Sequence, residues 1–251
     1  MTGSGGPHPE LRAAPAHVFV AHLDHPELEE DDAHHLTRVM RLRDGAAVGL
    51  SDGAGRWRTG RLTLGAPTGA GPGAGARRAG IEPDGPITAD PAPEPAVSLA
   101  VALPKGDRGD WAVQKLTELG VDEIIVLDAA RSVVRWDEDR ASRGMARLSR
   151  IIRQAAMQAR LTRLPRLAGP LTVARVAADP GVACAGAEPG AANAPDLAHP
   201  RVLIGPEGGW AEGEVPAGVA RVGLGPTVLR TETAAVAAAT VLVLLRAGLL
   251  N

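Results

Sequence analysis

Aromatic side chains are nearly missing from this chain: no tyrosine, one phenylalanine and four tryptophans among 251 residues. So few rings exclude an extended stacking platform for single-stranded nucleic acid. Cysteine occurs once, at Cys184, which excludes an internal disulfide and makes the cytoplasm the expected location. No basic segment followed by an apolar run opens the chain, so no secretion signal is expected. The longest strongly apolar stretch, Ala234 to Leu245, is Ala-rich and short for a membrane span, and no membrane partner is expected. Nucleotide motifs are lacking too: no GxxxxGK[ST] cradle occurs, and no GxGxxG follows the first strand of the second domain. Without HExxH or a second cysteine, His17, His22, His25, His34 and His35 form no recognisable metal set; His34 and His35 read as packing, turn or RNA-surface residues. No Gly-x-Ser-x-Gly elbow is present, and Cys184 sits among small residues with no activating pattern.

What is present is unevenly distributed. The formal net charge is only −2, yet residues 131–166 hold ten arginines against Asp137, Glu138 and Asp139, a local balance of +7. Residues 24–32 are acidic, with no Lys or Arg. A local basic face binds phosphate whatever the total charge, and a salt-bridged solvated helix face explains the same residues equally well. Arginine outnumbers lysine 25 to 2 while alanine and glycine abound, a mark of GC-rich coding that tempers the arginine count.

Two domains are expected. Residues 1–16 carry little to bury and read as disordered. A small β-rich domain follows over residues 17–82: a strand at His17–Leu23, a helix at Leu28–Met40, a strand at Ala46–Leu50, a turn, then an alternating strand at Arg56–Leu64 with arginines on one side. Residues 65–96 carry seven glycines and seven prolines and hold the boundary. Of these, residues 83–96 read as linker, as does the composition of Gly71–Gly75, while Ala76–Glu82 can add a strand to the first domain. From Val97 onward strands and helices alternate: a strand at Val97–Leu103, a helix at Asp107–Leu119 stopped by Gly120, a strand at Val121–Leu127 and a long basic helix at Asp137–Arg160. Residues 178–200 read as loop, followed by short strands at Arg201–Ile204 and Ala220–Gly223 and a last helix at Thr231–Arg246. The βαβ alternation of residues 97–251 implies an α/β class with a mostly parallel sheet.

The chemistry concentrates in two glycine-rich segments, Leu203-Ile204-Gly205-Pro206-Glu207-Gly208-Gly209-Trp210 and Leu224-Gly225-Pro226-Thr227-Val228-Leu229-Arg230-Thr231-Glu232-Thr233-Ala234. Each follows a buried-strand pattern and leads toward a helix-like segment, a short one at Trp210 in the first case. Glycines there let main-chain groups approach a ligand, so two such loops suggest a small-molecule pocket at the carboxyl ends of strands. Thr231 and Glu232 have an ordinary explanation as cap and first-turn acid of a helix. Arg230 does not: a cation beside a helix N-terminus is disfavoured unless an anion or polar ligand sits there.

These segments, with Leu103-Pro104-Lys105-Gly106-Asp107-Arg108, Gln114-Lys115-Leu116-Thr117-Glu118-Leu119-Gly120-Val121 and Arg131-Ser132-Val133, resemble the RsmE-type ribosomal RNA uracil-N3 methyltransferases of the SPOUT class, and His34-His35-Leu36 followed by Val39 to Arg43 resembles that family's N-terminal domain. The resemblance implies a PUA-like β-barrel followed by a methyltransferase domain with a trefoil knot. It further implies a homodimer that uses S-adenosylmethionine to methylate N3 of a uridine in 16S rRNA of the small ribosomal subunit. Carried onto this chain, it places Leu203, Gly205, Glu207, Gly208, Leu224, Gly225, Leu229, Thr233 and Ala234 at the cofactor, Arg230 and Glu232 in the chemistry, and Arg38, Arg41, Arg43, Arg131 and Arg160 on RNA, with Arg56, Arg58 and Arg61 adding to the basic surface. The chain departs from the family pattern at Thr227, where a basic residue is usual, at Met157, where an acid is common, and at Asp110 in place of Glu. A SPOUT enzyme acting on tRNA ribose, or an RNA-binding protein without catalysis, would share many of these features.

Overall fold

The computed structural model describes residues 8–67 and 77–250, which form two compact units. The expected linker Gly71–Gly75 and residue Ala76 lie outside the described residues, as do positions 1–7 of the segment expected to be disordered.

The first unit takes the described residues up to Pro91 together with Ala156–Leu164. It begins with a short helix, α1 (Pro9–Ala13), where disorder was expected. Pro9 suits a first helical turn, and Leu11 is fully buried, which is the anchor that orders this segment. After β1 (Ala16–Phe19), α2 (Glu30–His34) runs directly into a π-helical turn, His35–Val39, so the expected helix is shorter at its start and changes its winding midway. β2 (Ala47–Ser51), β3 (Arg56–Pro67) and β4 (Arg77–Ala89) complete a four-stranded sheet in the order β1-β2-β3-β4. β1 lies parallel to β2, and the other pairs are antiparallel. β4 continues through residues 83–89, which had read as linker. It is an edge strand, where proline removes no needed hydrogen bond, so Pro83 and Pro86 are tolerated. The register places Arg58 opposite Leu50 and Arg61 opposite Ala47, so Arg56 and Arg58 share one face and Arg61 lies on the other. Val18, Leu36, Val48, Leu50, Leu62 and Ile81 form the core of this unit.

The second unit comprises Ala92–Ala155 and the described residues from Pro165 onward. Its elements are β5 (Ser98–Val101), α3 (Asp107–Leu119), β6 (Glu123–Leu127), α4 (Glu138–Ala159, whose last turn belongs to the first unit), β7 (Arg166–Leu171), α5 (Val173–Ala177), β8 (Cys184–Ala187), β9 (Arg201–Ile204), β10 (Ala220–Val222) and α6 (Thr231–Arg246). Gly120 ends α3 in the left-handed conformation, φ 81°. All six strands are parallel, in the order β10-β8-β9-β5-β6-β7. β5, β6 and β9 are buried along their whole length, as expected of strands covered on both faces. β7, α5 and β8 had no counterpart in the sequence reading. β7 carries Gly169 and Pro170, permissible because it is an edge, and Cys-Ala-Gly-Ala in β8 lacks the branched side chains that announce a strand. Conversely, no helix follows Trp210: the chain turns at Pro206–Gly209 and again at Ala211–Glu214, where Gly213 and Pro216 stop helical growth.

The chain moves from β5 outward to β6 and β7, then crosses back to build β8, β9 and β10 on the other side. β5 and β9 therefore adjoin with diverging connections, the arrangement that opens a crevice beyond the carboxyl ends of a parallel sheet. α6 packs on α3, β5 and β9, burying Ala235, Ala238, Ala239 and Leu242.

Candidate active site

A pocket enclosing about 680 Å³ of empty space, part of it open to solvent, lies at the carboxyl ends of β8, β9 and β10. Both glycine segments form it. Of the residues expected at a cofactor, Gly205, Glu207, Leu224, Gly225, Leu229 and Ala234 line it. Leu203 does not: it is fully buried within β9, in the sheet's hydrophobic core. Gly208 turns away toward Arg131, whose Nη1 donates to the Gly208 carbonyl at 3.1 Å, and Thr233 is exposed on α6. The lining also includes Ala187, Glu188 and Pro189 at the end of β8, which the loop reading of residues 178–200 could not supply. Trp210 and Thr227 line it as well.

Local physics explains the pocket's shape. A side chain at Gly205 would place its Cβ 3.0 Å from the Trp210 ring, so glycine lets the indole close over the loop without being pushed aside. Trp210 is fixed in turn, its Nε1 donating to the Ala187 carbonyl at 3.2 Å. Gly225 holds φ 121°, a backbone conformation that side chains resist. Ile204, Leu224, Val228 and Leu229 supply apolar walls, and Glu207 and Glu188 bring carboxylates to the rim.

Arg230 stands at the N-cap of α6, exposed, and its side chain neither caps the helix nor pairs with a described residue. Thr231, expected to be the cap, is the first helical residue instead, and its hydroxyl donates to the Gly205 carbonyl at 3.0 Å, tying the two glycine segments together. The first amides of α6 thus have no side-chain acceptor, and their positive end adds to the charge of Arg230. Glu232 is buried, with Oε2 lacking a hydrogen bond. Arg108 at the start of α3 joins this group: its Nη1 lies 3.1 Å from Glu207 and 3.6 Å from Glu232. Nothing in the spacing of the sequence announces that bridge between the pocket rim and α6.

A second loop is tied to the first glycine segment. Glu214 accepts from the amides of Ala130, at 2.6 Å, and Ala211, at 2.8 Å, and Arg131 holds Gly208. In the first unit, Arg38, Arg41 and Arg43 are exposed with no described partner. Arg58 is paired with Asp24 at 3.3 Å, and Arg61 with Asp84 at 3.3 Å. Arg160 donates to the carbonyls of Ala14 and Pro15, each at 3.0 Å, and burial pushes its guanidinium below the ordinary arginine range. It bonds to the chain itself within this unit.

Comparison with known proteins agrees with this geometry. A family model described as an RNA methyltransferase domain matches residues 91–243, and one described as an RNA methyltransferase PUA domain matches residues 28–65. Over 227 residues the chain is 34% identical to the ribosomal RNA small subunit methyltransferase E of Mycobacterium bovis, covering 84% of this chain and 83% of that one. It is 31% identical over 220 residues to the protein of the same name from a Synechocystis species, covering 80% of this chain and 67% of that one. Its fold is similar to the crystal structure of ribosomal RNA small subunit methyltransferase E from Neisseria gonorrhoeae bound to S-adenosyl methionine, with a TM-score of 0.71 and 26% identity over 92% of this chain and 97% of that one. A glycine-built pocket at the carboxyl edge of a parallel sheet, within a domain matched along most of its length, places this chain in the ribosomal RNA small subunit methyltransferase E family.

Proposed function

We propose that the chain transfers a methyl group from S-adenosylmethionine to N3 of a uridine in the 16S rRNA of the small ribosomal subunit. The observation that carries the reading is the pocket made by both glycine segments with Arg230 beside it. Its lining fits the cofactor: Ile204, Leu224, Val228 and Leu229 suit an adenine ring, and the carboxylates of Glu207 and Glu188 suit a cation. When bound, the cofactor supplies an electrophilic methyl group carried on a sulfonium. The chain's own work is to exclude water and to hold the acceptor base in line.

Uridine N3 carries a weakly acidic proton, and the anion left by its loss is the better nucleophile. Arg230 and the uncapped amides of α6 present positive charge where the carbonyl oxygens of that anion would develop negative charge, a preorganised electrostatic role. Glu232, with one carboxylate oxygen free of a hydrogen bond, is assigned to accept the proton. Arg108 holds it and Glu207 in place. Leu203, Gly208 and Thr233 act behind the lining in this scheme, through strand, loop and helix placement. The exposed Arg38, Arg41, Arg43 and Arg131 take RNA phosphates, which supplies affinity and salt dependence.

Finer features belong to the same proposal. A trefoil knot is supported by the tight passage of the chain after β10: the Gly223 amide donates to the Asn193 carbonyl at 2.7 Å, and a Cβ on Gly223 would collide with the Ala191 carbonyl. A homodimer is supported by Trp111, which α3 leaves 43% exposed in a chain with few aromatics. The four-stranded sheet of the first unit would be part of a PUA-like barrel. No helix among the described residues is long and apolar enough to cross a membrane, and a cytoplasmic site of action follows from the substrate.

The test has two parts. Calorimetry with S-adenosylmethionine should give one binding event per chain. Small subunits from a deletion strain, incubated with the chain and cofactor, should then show a reverse-transcription stop at one uridine, since N3 methylation blocks the pairing edge. Cofactor binding with the methyl on a ribose oxygen would replace this reading with that of a ribose methyltransferase.

A further inference from the structure

The first unit has a small surface that its own fold does not explain. Val39 is 61% and Met40 37% exposed, and they are the only exposed large apolar side chains among the described residues of this unit. They sit where α2 has passed into its π-helical turn, a rare winding frequent at functional sites. Two residues on, Arg41 holds φ 53°, a left-handed conformation that is uncommon outside glycine and marks local strain. The segment is nonetheless firmly held. Leu36 is buried on one side, Leu42 packs against the same core on the other, and the Leu42 amide donates to the Leu36 carbonyl at 3.0 Å. The loop therefore presents Val39 and Met40 as a fixed apolar knuckle. Arg38, Arg41 and Arg43 flank it along the chain, exposed, their side chains without a hydrogen bond or ion pair to a described residue.

We infer that this knuckle is an RNA-docking surface for a base displaced from its stack, with Val39 and Met40 against the base face and the flanking arginines on the adjoining phosphates. The inference rests on the methyltransferase reading and adds to it a mode of RNA recognition. Charge complementarity fixes the occupant: an apolar spot flanked along the chain by three guanidiniums without side-chain partners matches a polyanion carrying flat apolar faces. A protein partner of ordinary composition, or a lipid tail, would leave those charges without counterparts. The role also falls to this pair by elimination within the unit, since Phe19 and Trp57 are both buried and cannot stack on RNA. Methionine and aliphatic side chains are able to pack against base faces, as the apolar wedges of minor-groove binding proteins do between base steps.

The test measures binding rather than methyl transfer. Full-length chain is titrated against a fluorescent RNA hairpin with a single-stranded loop and against a fully paired RNA of equal length, over a range of salt. Wild-type chain should favour the looped RNA. The double variant Val39→Ser/Met40→Ser should lose about tenfold on the looped RNA, by analogy with the loss of one stacked base. It should bind the paired RNA as before and keep the same slope of log affinity against log salt. Arg38→Ala should do the reverse, lowering the slope by about 0.7–0.9 per lost phosphate contact on either RNA. Unchanged S-adenosylmethionine affinity and thermal midpoint would show that the double variant is folded. Equal affinity of wild type and double variant for the looped RNA would overturn the inference, and so would a loss that falls equally on both RNAs. A chain that binds looped RNA through Val39 and Met40 yet transfers no methyl would leave this inference standing while removing the proposed activity.

Discussion

At the scale of single residues, Arg230 and Arg108 carry the same charge and do different work. Arg230 is exposed, unpaired and set at the uncapped start of α6, so its charge is available to a ligand. Arg230→Ala should lower the rate of methyl transfer by about 10²–10³-fold, the usual cost of one preorganised donor at a developing oxyanion, with cofactor affinity nearly unchanged. Single-turnover assays beside calorimetry separate the two quantities, and undiminished turnover would remove Arg230 from the chemistry. Arg108 spends its charge internally, on Glu207 and Glu232. Arg108→Met should leave the Glu232 carboxylate buried without its cation and lower stability by about 1 kcal/mol, discounted because Arg108 itself is half exposed. Adding Glu232→Gln should restore part of that loss, since the uncompensated charge is gone. Urea unfolding of the two single variants and the double variant closes the cycle, and strict additivity would mean that the two side chains do not interact.

At the scale of elements, the amino ends of the central strands hold a buried ionic row. Ser98 on β5 lies opposite Glu123 on β6 and Arg201 on β9; Glu123 accepts from the Ser98 hydroxyl at 2.8 Å and from Arg201 Nη2 at 3.1 Å, and Arg166 on β7 also reaches it. Four neighbouring strands are thereby pinned in register at the end opposite the pocket. Glu123→Ala removes the shared acceptor and leaves Arg201, only 4% exposed at its side chain, with Asp179 at 2.7 Å as its remaining ion-pair partner, which should cost about 1–3 kcal/mol. Urea denaturation measures this, and a cost near zero would mean that water replaces the carboxylate. The sequence showed Arg201 and Glu123 only as polar ends of apolar runs. Their meeting depends on strand order, and β9 neighbours β5 through a crossover that no local pattern encodes. The same limit hid β8, whose small residues carry no strand signal, and with it Ala187 to Pro189 of the pocket. The two glycine segments were legible for the opposite reason: strand and glycine turn follow one another directly in the chain, with a helix start after the second alone, so the requirement for close backbone approach is written locally. The π-helical turn at His35–Val39 was not legible, because residues 28–40 satisfy a helical period while the change of winding accompanies long-range packing of Leu36 and Leu42 on the core.

At the scale of the whole molecule, Cys184 offers a single reporter on the second unit. It is buried at the start of β8, and desolvation pushes its thiol above the ordinary cysteine range, with Asp179 adding to the rise and Arg201 opposing it. In the unfolded chain the thiol returns to about 8.5. The folded state therefore binds more protons than the unfolded state once the pH passes that value, and stability falls as the pH rises further. Cys184→Ala should abolish this alkaline decline while leaving stability near pH 7 within about 1 kcal/mol, because the substitution removes little volume. Denaturant midpoints from pH 7 to 10 for both proteins decide the matter, and parallel curves would place the decline in another group. The same thiol reports on the pocket. Cys184 is buried, so a disulfide reagent labels it slowly in the folded sheet and labelling rises with the population of open forms. S-adenosylmethionine at a hundred times its dissociation constant should slow labelling by about 100-fold, the equivalent of about 2.7 kcal/mol of linkage, if the opening that exposes β8 also dismantles the pocket at its carboxyl end. Labelling that ignores the cofactor would mean that β8 opens while the two glycine loops stay joined.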